Sequence, residues 1–420
     1  MITVLDSVFD VRNFGACGDG RTLDTAAIQT AIDACAAVGG VVFLPSGKYV
    51  SGTLLLRSHV TLHCAAGSVL LGSRDREDYL PGIREFRDAV GVDRGLGLIL
   101  AHGEKNIAIE GTGTIDGRGE GWKDPRPMIL RFIECRDVRV SGVTLKDSAA
   151  WVQHYLGCED VFLTGVKVVS HCNGNNDGLN LDGCERVRVS DCHFSSGDDA
   201  FTLKCTTDRA CRDIVVSNCL FQSDCNGIKL GTESVGGFEN ITITNCAVYN
   251  TRLCGLTIAS VDGAFLRDVF VSNIVMRQVG GALFMRLGRR GYHLPDGERC
   301  LEGRMERIVV QGLTATGVDL HGSAILGLPE NCIKDVTLEN IFVRGQGGGI
   351  KPPGAFEEAP ERYPQYDQWG HFPAAGLFCR CVDGLTMRNL NFRFERTDER
   401  PPLVLEKIGG LTQDQISTKS

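Results

Sequence analysis

IVVSNCLF, residues 214–221, returns as ITITNCAV at 241–248 and VFVSNIVM at 269–276, and VRVSDCHF at 187–194 precedes it. The starts lie 27, 27 and 28 residues apart. VTLENIFV (336–343) and LTMRNLNF (385–392) are weaker copies. Each copy is a short β-branched strand, an Asn or Asp, then a small or apolar residue. A period this short leaves no room for a helix and predicts a solenoid of stacked strands. GLNLDG (178–183), AFTLKC (200–205), GIKLGT (227–232) and GLTIAS (255–260) lie between the copies. Each repeat therefore holds at least two strands joined by turns, as one coil of a parallel β-helix requires. Asn218, Asn245 and Asn273 should stack in successive turns, their amides bonding along the stack where the backbone bends.

The whole composition agrees with an all-β chain. Glycine is abundant at 52 of 420 residues, aromatics are only 7%, and 43% of residues are hydrophobic. That mix suits many tight turns and small inward side chains. Before the repeats, LDTAAIQTAIDACAAVGG (23–40) reads as one amphipathic helix with Asp24 as its cap and a glycine pair as its stop. A helix there would cover the open first coil and shield its edge. The expected organisation is a single β-helix domain over 1–420, with an N-terminal cap at about 9–40 and a frayed polar tail at about 407–420.

Net charge is −8, which argues against nucleic acid or an anionic membrane as partner. No run of about 18 apolar residues predicts a transmembrane helix. The opening MITVLDSVFDVRNFG lacks the basic start and apolar core of an export signal. A cytoplasmic location is expected, or secretion if a signal preceded this sequence. Eighteen cysteines occur, many as SDC, SNC and TNC before apolar residues (Cys192, Cys219, Cys246), and read as reduced, core-filling thiols. Paired CxxC knuckles are absent from the sequence, and no metal or cofactor is expected. Oligomeric state is not legible.

SSGDDAFTLKC (195–205) places two aspartates, Asp198 and Asp199, side by side. Asp177, in NGNNDGLNLDG, precedes them by 21 and 22 residues, close to one coil. Equivalent positions of neighbouring coils lie about 4.8 Å apart. The three carboxylates should therefore converge, each just before the same strand. A lone Asp at such a place is more often a turn cap, but three at this spacing point to chemistry. Clustered carboxylates cannot all ionise cheaply, so at least one should hold its proton. An acid beside an ionised neighbour is what glycoside hydrolysis uses. Alternation sends Leu179, Leu181, Phe201, Leu203, Ile228, Leu230, Leu256 and Ile258 inward. The outward set is Asn180, Asp182, Thr202, Lys204, Lys229, Thr257, Ala259, Phe284 and Arg286.

These residues resemble glycoside hydrolase family 28, the polygalacturonase and rhamnogalacturonase group with the pectin-lyase-like fold. Its Asn-x-Asp-Gly element reads here as Asn175-Asn176-Asp177-Gly178, and its Gly-Asp-Asp element as Gly197-Asp198-Asp199. FDVRNFGACGDGRTLDTAAIQTAID, GTGTIDGRGEGW and WVQHYLGCEDV are similar to bacterial members, and the likeness runs from about residue 9 to 405. The resemblance implies a right-handed parallel β-helix and hydrolysis with inversion. It implies Asp198 as general acid, with Asp177 and Asp199 holding and deprotonating the water. Asn175 is carried over as substrate-binding with the first element.

Two elements depart from the pattern. The family's Gly-His-Gly falls near DCNGIKLGT (224–232), where Cys225 or Asn226 replaces the histidine. Its Arg-Ile-Lys, which grips the substrate carboxylate, aligns with Thr257-Ile258-Ala259. Lys204, Lys229 and Arg286 are the remaining outward cations and are candidates for an acidic sugar in another subsite, with Lys204 also tuning the acid–base pair. Asn226, Trp151 and His154 complete the candidate substrate-binding set. The proline-rich segment 351–372, with Tyr363, Tyr366, Trp369 and Phe372, should be an ordered loop walling the cleft, which would favour exo-action. The function expected is an inverting glycoside hydrolase on pectin-derived galacturonide or rhamnogalacturonan-type saccharides. The alternatives are the same chemistry on a neutral glycan, a polysaccharide lyase on this fold, or a non-catalytic carbohydrate-binding solenoid.

Overall fold

The computed structural model describes residues 7–88, 91–291, 302–351 and 354–419. They fall into two compact units, Met1–Asp198 and Asp199–Ser420. In both, successive strands come back to parallel partners one coil away, so each unit winds as a parallel β-helix.

In the first unit three parallel ladders alternate along the chain. The first stacks Leu54–Leu55, Gly97–His102, Met128–Ile133, Gln153–Leu156 and Leu179–Asp182. The second runs from Val8–Asp10 through Gly40–Leu44, Val60–Cys64, Lys105–Gly111, Arg136–Ser141 and Glu159–Thr164 to Glu185–Ser190. The third ends with Thr144–Lys146, Lys167–Ser170 and His193–Ser196. Helix α1 (Thr25–Ala36) buries Ile28, Ala31, Ile32 and Cys35, one stripe at helical spacing. Asp24 stands at the N-cap position but makes no side-chain cap bond. Its carboxylate instead accepts from the backbone N–H groups of Cys17 (2.7 Å) and Gly18 (3.1 Å), because the 17–18 turn presents two donors that a helix start would otherwise have supplied.

In the second unit the repeat copies lie in register. Ile214 pairs with Ile241, Ile241 with Val269, Val269 with Ile308, Ile308 with Val336 and Val336 with Leu385. The coil at 308–315, too diverged to stand out by eye, fills the gap between the strong and weak copies. Asn218, Asn245 and Asn273 all adopt the left-handed backbone (φ 56°, 55° and 53°), a conformation Asn tolerates better than most residues. The amide of Asn273 donates to that of Asn245 (3.1 Å), and Asn389 to Asn340 (2.7 Å). Gly312 (φ 64°) takes this corner in the coil between, where the asparagine is missing.

The tail differs from expectation. Leu403–Gly409 and Thr412–Lys419 are strands that extend the parallel ladders, with Leu377 opposite Leu403 and Leu390 opposite Ile416. Backbone pairing holds this last coil. Most of its described polar side chains are exposed, which is why composition alone reads as fraying.

Alternation places the inward residues as expected: Leu179, Leu181, Phe201, Leu203, Ile228, Leu230, Leu256 and Ile258 are fully buried. The outward set is buried as well, including Lys204, Lys229 and Arg286. Covering segments within each unit account for this. Among the described residues no helix is long and apolar enough to cross a membrane.

Candidate active site

In the first unit the chain passes from the third ladder back to the first through residues 171–178, and a neighbouring loop built around Trp122 and Arg126 pins that passage. Gly119 is a glycine of necessity: a Cβ there would lie 2.3 Å from the backbone of Ser148 and Ala149. Asn173 donates from its amide to the carbonyls of Gly119 (3.0 Å) and Trp122 (3.1 Å). Asn176 accepts from the Asn173 backbone (2.9 Å) and donates to the carbonyls of Ser148 (2.7 Å) and Ala150 (3.1 Å). Asp177 follows, 3% exposed, its carbonyl accepting from the Val152 N–H (2.8 Å). Asn175 turns the chain in the left-handed region (φ 53°) and donates from Nδ2 to Asp198 Oδ2 at 3.4 Å. Asp198 is only half-buried.

Arg126 was not singled out in the sequence, yet it organises this turn. It is 7% exposed and donates to the carbonyls of Ala149 and Gly174, to Asn173 Oδ1, and to Asn175 Oδ1 at 2.9 Å, while Asp124 holds its Nε at 2.7 Å. Only the fork of donors on an arginine fits so many acceptors. Arg126→Met is expected to lower kcat about tenfold with KM nearly constant, since it frees Asn175 beside Asp198. Steady-state kinetics on folded variant checks this. An unchanged kcat would make Arg126 a stabilising residue alone.

Trp151 and His154 sit together, ring centroids 5.1 Å apart, and both are buried. Phe86 packs on both, and Arg94 lies over the Trp151 ring at 5.4 Å. Phe86–Arg87 and Asp93–Arg94 form an antiparallel hairpin (residues 89–90 lie outside the described residues). Arg131 anchors the flanking chain by donating to the carbonyls of Ile83, Arg84 and Gly95. His154 Nε2 meets Asp182 Oδ2 at 3.1 Å, both fully buried. The pair Trp151 and His154 thus carries a covering hairpin.

In the second unit Asp199 is 4% exposed and densely held. Its Oδ1 accepts from the Asn226 backbone N–H (3.0 Å) and the Asn226 amide (2.7 Å), and its Oδ2 accepts from Lys229 Nζ (2.8 Å). Burial alone would raise its pKa. The Lys229 charge and hydrogen bond, with Asn226 and Lys204, outweigh burial and hold the carboxyl below its usual range. Lys204 itself pairs with Glu233 at 3.1 Å. Consecutive aspartates therefore differ in setting: Asp199 is buried with its carboxyl held below its usual range, and Asp198 is half-buried and accepts from the Asn175 amide.

The segment 354–372 lies over the outward face of this unit, with Pro352 and Pro353 outside the described residues. Tyr366 and Phe372 pack with Phe284 and Phe378 in one apolar cluster. Arg286 is completely buried beneath it, donating Nη2 to the carbonyls of Glu358 (2.7 Å) and Ala359 (3.2 Å) with Trp369 stacked at 5.1 Å. Burial lowers its pKa to about 10, and its Nε and Nη1 have no hydrogen-bond partner among the described residues. Tyr363 bonds Thr232 Oγ1 (2.9 Å) and lies 5.5 Å from Lys229 Nζ and 5.6 Å from the Arg290 guanidinium. Arg290 in turn clasps buried Asp262 through Nε and Nη2. Lys204, Lys229 and Arg286 thus all lie on the outward face, and each is engaged by protein groups.

The model of glycosyl hydrolases family 28 matches residues 82–349, and that of rhamnogalacturonase A/epimerase, pectate lyase-like, matches 8–70. A probable polygalacturonase of Vitis vinifera is 26% identical over 411 residues, covering 87% of this chain and 83% of the relative. An exopolygalacturonase from Thermotoga maritima superposes with TM-score 0.76 at 22% identity, over 92% of both chains. The family 28 exopolygalacturonase of Yersinia enterocolitica gives 0.75 at 21% identity, over 96% of this chain and 78% of that one. These solved folds are parallel β-helices, in keeping with the ladders of each unit. The family match spans both acidic elements, and the chain belongs to glycosyl hydrolases family 28, as a glycoside hydrolase.

Proposed function

We propose that this protein hydrolyses pectin-derived saccharides, of galacturonide or rhamnogalacturonan type, with inversion and from a chain end. The observation that carries the reading is that both acidic elements stand intact within the family match while their adjacent aspartates differ in setting. Asp198 enters the reaction protonated and gives its proton to the leaving oxygen. Asp177 and Asp199 hold a water on the opposite face of the sugar and take up its proton. The new C–O bond then forms as the glycosidic bond breaks, and the product anomer is inverted. Lys229 and Lys204 tune Asp199 electrostatically.

Exo-action is supported by the cover over the outward faces: the hairpin at 83–95 in one unit and the 354–372 loop in the other. A polymer needs an open groove, whereas a terminal sugar needs only a pocket. A right-handed winding and a capping role for α1 belong to the same proposal, supported by its buried stripe and its packing against Val8–Asp10 and Gly40–Leu44.

The test is digestion of defined galacturonate and rhamnogalacturonan oligomers, followed by mass and anomeric NMR. Steady release of one terminal sugar, first seen as the inverted anomer, is expected. A ladder of intermediate oligomers would refute exo-action, and an unsaturated, ultraviolet-absorbing product would identify a lyase. Thr257 and Ala259, buried and uncharged where the family carries cations, favour a second reading: the same chemistry on a neutral glycan. Turnover restricted to neutral oligomers in that screen would select it.

A further inference from the structure

Asn226, one of the two residues that stand near the family's histidine position, and Thr257, where the family has a cation, touch each other. Thr257 Oγ1 donates to Asn226 Oδ1 at 3.0 Å, and the backbone N–H of Cys254 lies 3.3 Å from the same oxygen. Asn226 is 4% exposed and Thr257 is 2% exposed, so neither contact is exchanged freely with water. They come from neighbouring coils of one ladder, where Lys229 is opposite Thr257.

A backbone N–H can only donate. The Asn226 atom beside Cys254 must therefore be the amide oxygen, which fixes the usually ambiguous orientation of the side chain. The amide nitrogen then faces Asp199 Oδ1 as a donor, alongside the Asn226 backbone N–H. With two donors already directed at it, Oδ1 can only accept. Lys229 applies the same demand at Oδ2. A histidine at 226 would not reproduce this, because one imidazole nitrogen cannot serve both Thr257 and Cys254 as acceptor while the ring also donates in the plane of the carboxylate. Nor would an arginine at 257, which has no acceptor and would bring a second cation beside Lys229.

We infer that Asn226 and Thr257 are a coupled positioning pair that orients Asp199 and keeps it in its ionised form. Neither is a catalytic residue in this scheme. Thr257 acts through Asn226, and Asn226 through Asp199. The inference rests on the proposed role of Asp199 in holding the attacking water.

Four variants test it: Thr257→Val, Thr257→Ser, Asn226→Ala, and the double Asn226→Ala/Thr257→Val. Thr257→Val should lower kcat about tenfold with KM nearly unchanged, since a misaligned carboxylate costs rate and not binding. The acidic limb of its kcat/KM profile should move to higher pH, because the Asn226 amide, no longer held by Thr257, favours an ionised Asp199 less. Thr257→Ser keeps the hydroxyl and should restore both rate and limb. The double variant should be no worse than Asn226→Ala alone. A KM effect without a kcat effect, an unmoved acidic limb, or additive losses in the double variant would each overturn the pairing.

A measurement free of turnover separates this inference from the substrate reading. Urea unfolding of wild type and Thr257→Val should be compared at a series of acidic pH values. Asp199, held below its usual range, contributes stability that fades as pH falls through its folded pKa. In Thr257→Val the contribution should be smaller and the fade complete at higher pH. If wild type ignores every galacturonide yet the fade still moves, the substrate reading fails and the pair stands. If galacturonides are hydrolysed and the fade is unmoved, the pair is refuted. Should Thr257→Val not fold, Asn226→Ala carries the same comparison, with the same outcomes deciding.

Discussion

Asp198→Asn is expected to lower kcat about a thousandfold on a natural glycoside, the size of a lost general acid, while KM changes little. Asparagine fills the same space, and Asp198 is half-buried and linked by a long amide contact from Asn175, so folding should be preserved. The loss should depend on the leaving group. A natural sugar departs as an alkoxide unless it is protonated, so it needs the acid fully. A glycosyl fluoride departs without that proton, and on it the variant should retain most of wild-type rate. Setting separates the two aspartates: Asp199 is buried with Asn226 and Lys229 donating to its two oxygens, whereas Asp198 is half-buried. Rates on both substrates check this. An equal loss on the fluoride would show that Asp198 does something other than protonate the leaving oxygen.

Sequence pattern carried far along the coils and less far around them. Strands, their period and their inward residues followed from β-branched alternation, because the buried side of every coil obeys one rule. Ile214, Ile241, Val269 and Val336 are stacked as their spacing implied. The corner asparagines were legible for a similar reason, since the left-handed turn admits few residue types. The fate of the outward cations was not legible. Lys229 and Arg286 look alike in the sequence, both on outward positions. Long-range cover decides between them: Arg286 is sealed by carbonyls at 358–359, 72 residues away, and Lys229 is claimed by Asp199. Arg126 was missed because its acceptors are mostly backbone carbonyls, which leave no mark on residue type. Trp151 carried an aromatic signal that suits a sugar as well as a covering hairpin, and only the packing of Phe86 and Arg94 distinguishes them. Asp24 shows the same limit on a small scale: an Asp before a helix satisfies a turn as readily as the helix itself.

Lys229→Met should destabilise the protein by about 3–5 kcal/mol at neutral pH and abolish measurable turnover, because it leaves a buried carboxylate without its counter-ion. Lys229 and Asp199 have side chains only 4% and 5% exposed, and methionine keeps the bulk while removing the charge. The informative signature is the sign of the pH dependence. In wild type the folded Asp199 pKa lies below its unfolded value, so the pair contributes fully above the ordinary carboxylate range and is lost as pH falls through the lowered pKa. In Lys229→Met burial is no longer outweighed by the adjacent ammonium, and the folded pKa should move above the unfolded one. The folded state then takes up a proton more readily than the unfolded chain, and stability should recover as pH is lowered from 7 toward 5. Wild type should show no such gain from this group over that window. Asp199→Asn in the Lys229→Met background tests the cause directly: with the stranded charge removed, much of the stability lost at pH 7 should return while activity does not. Thermal or urea unfolding at pH 5 and 7 reads all three proteins. If Lys229→Met loses as much stability at pH 5 as at 7, the lysine is acting by packing, and the account of Asp199 as an anion held in place by its neighbours fails with it.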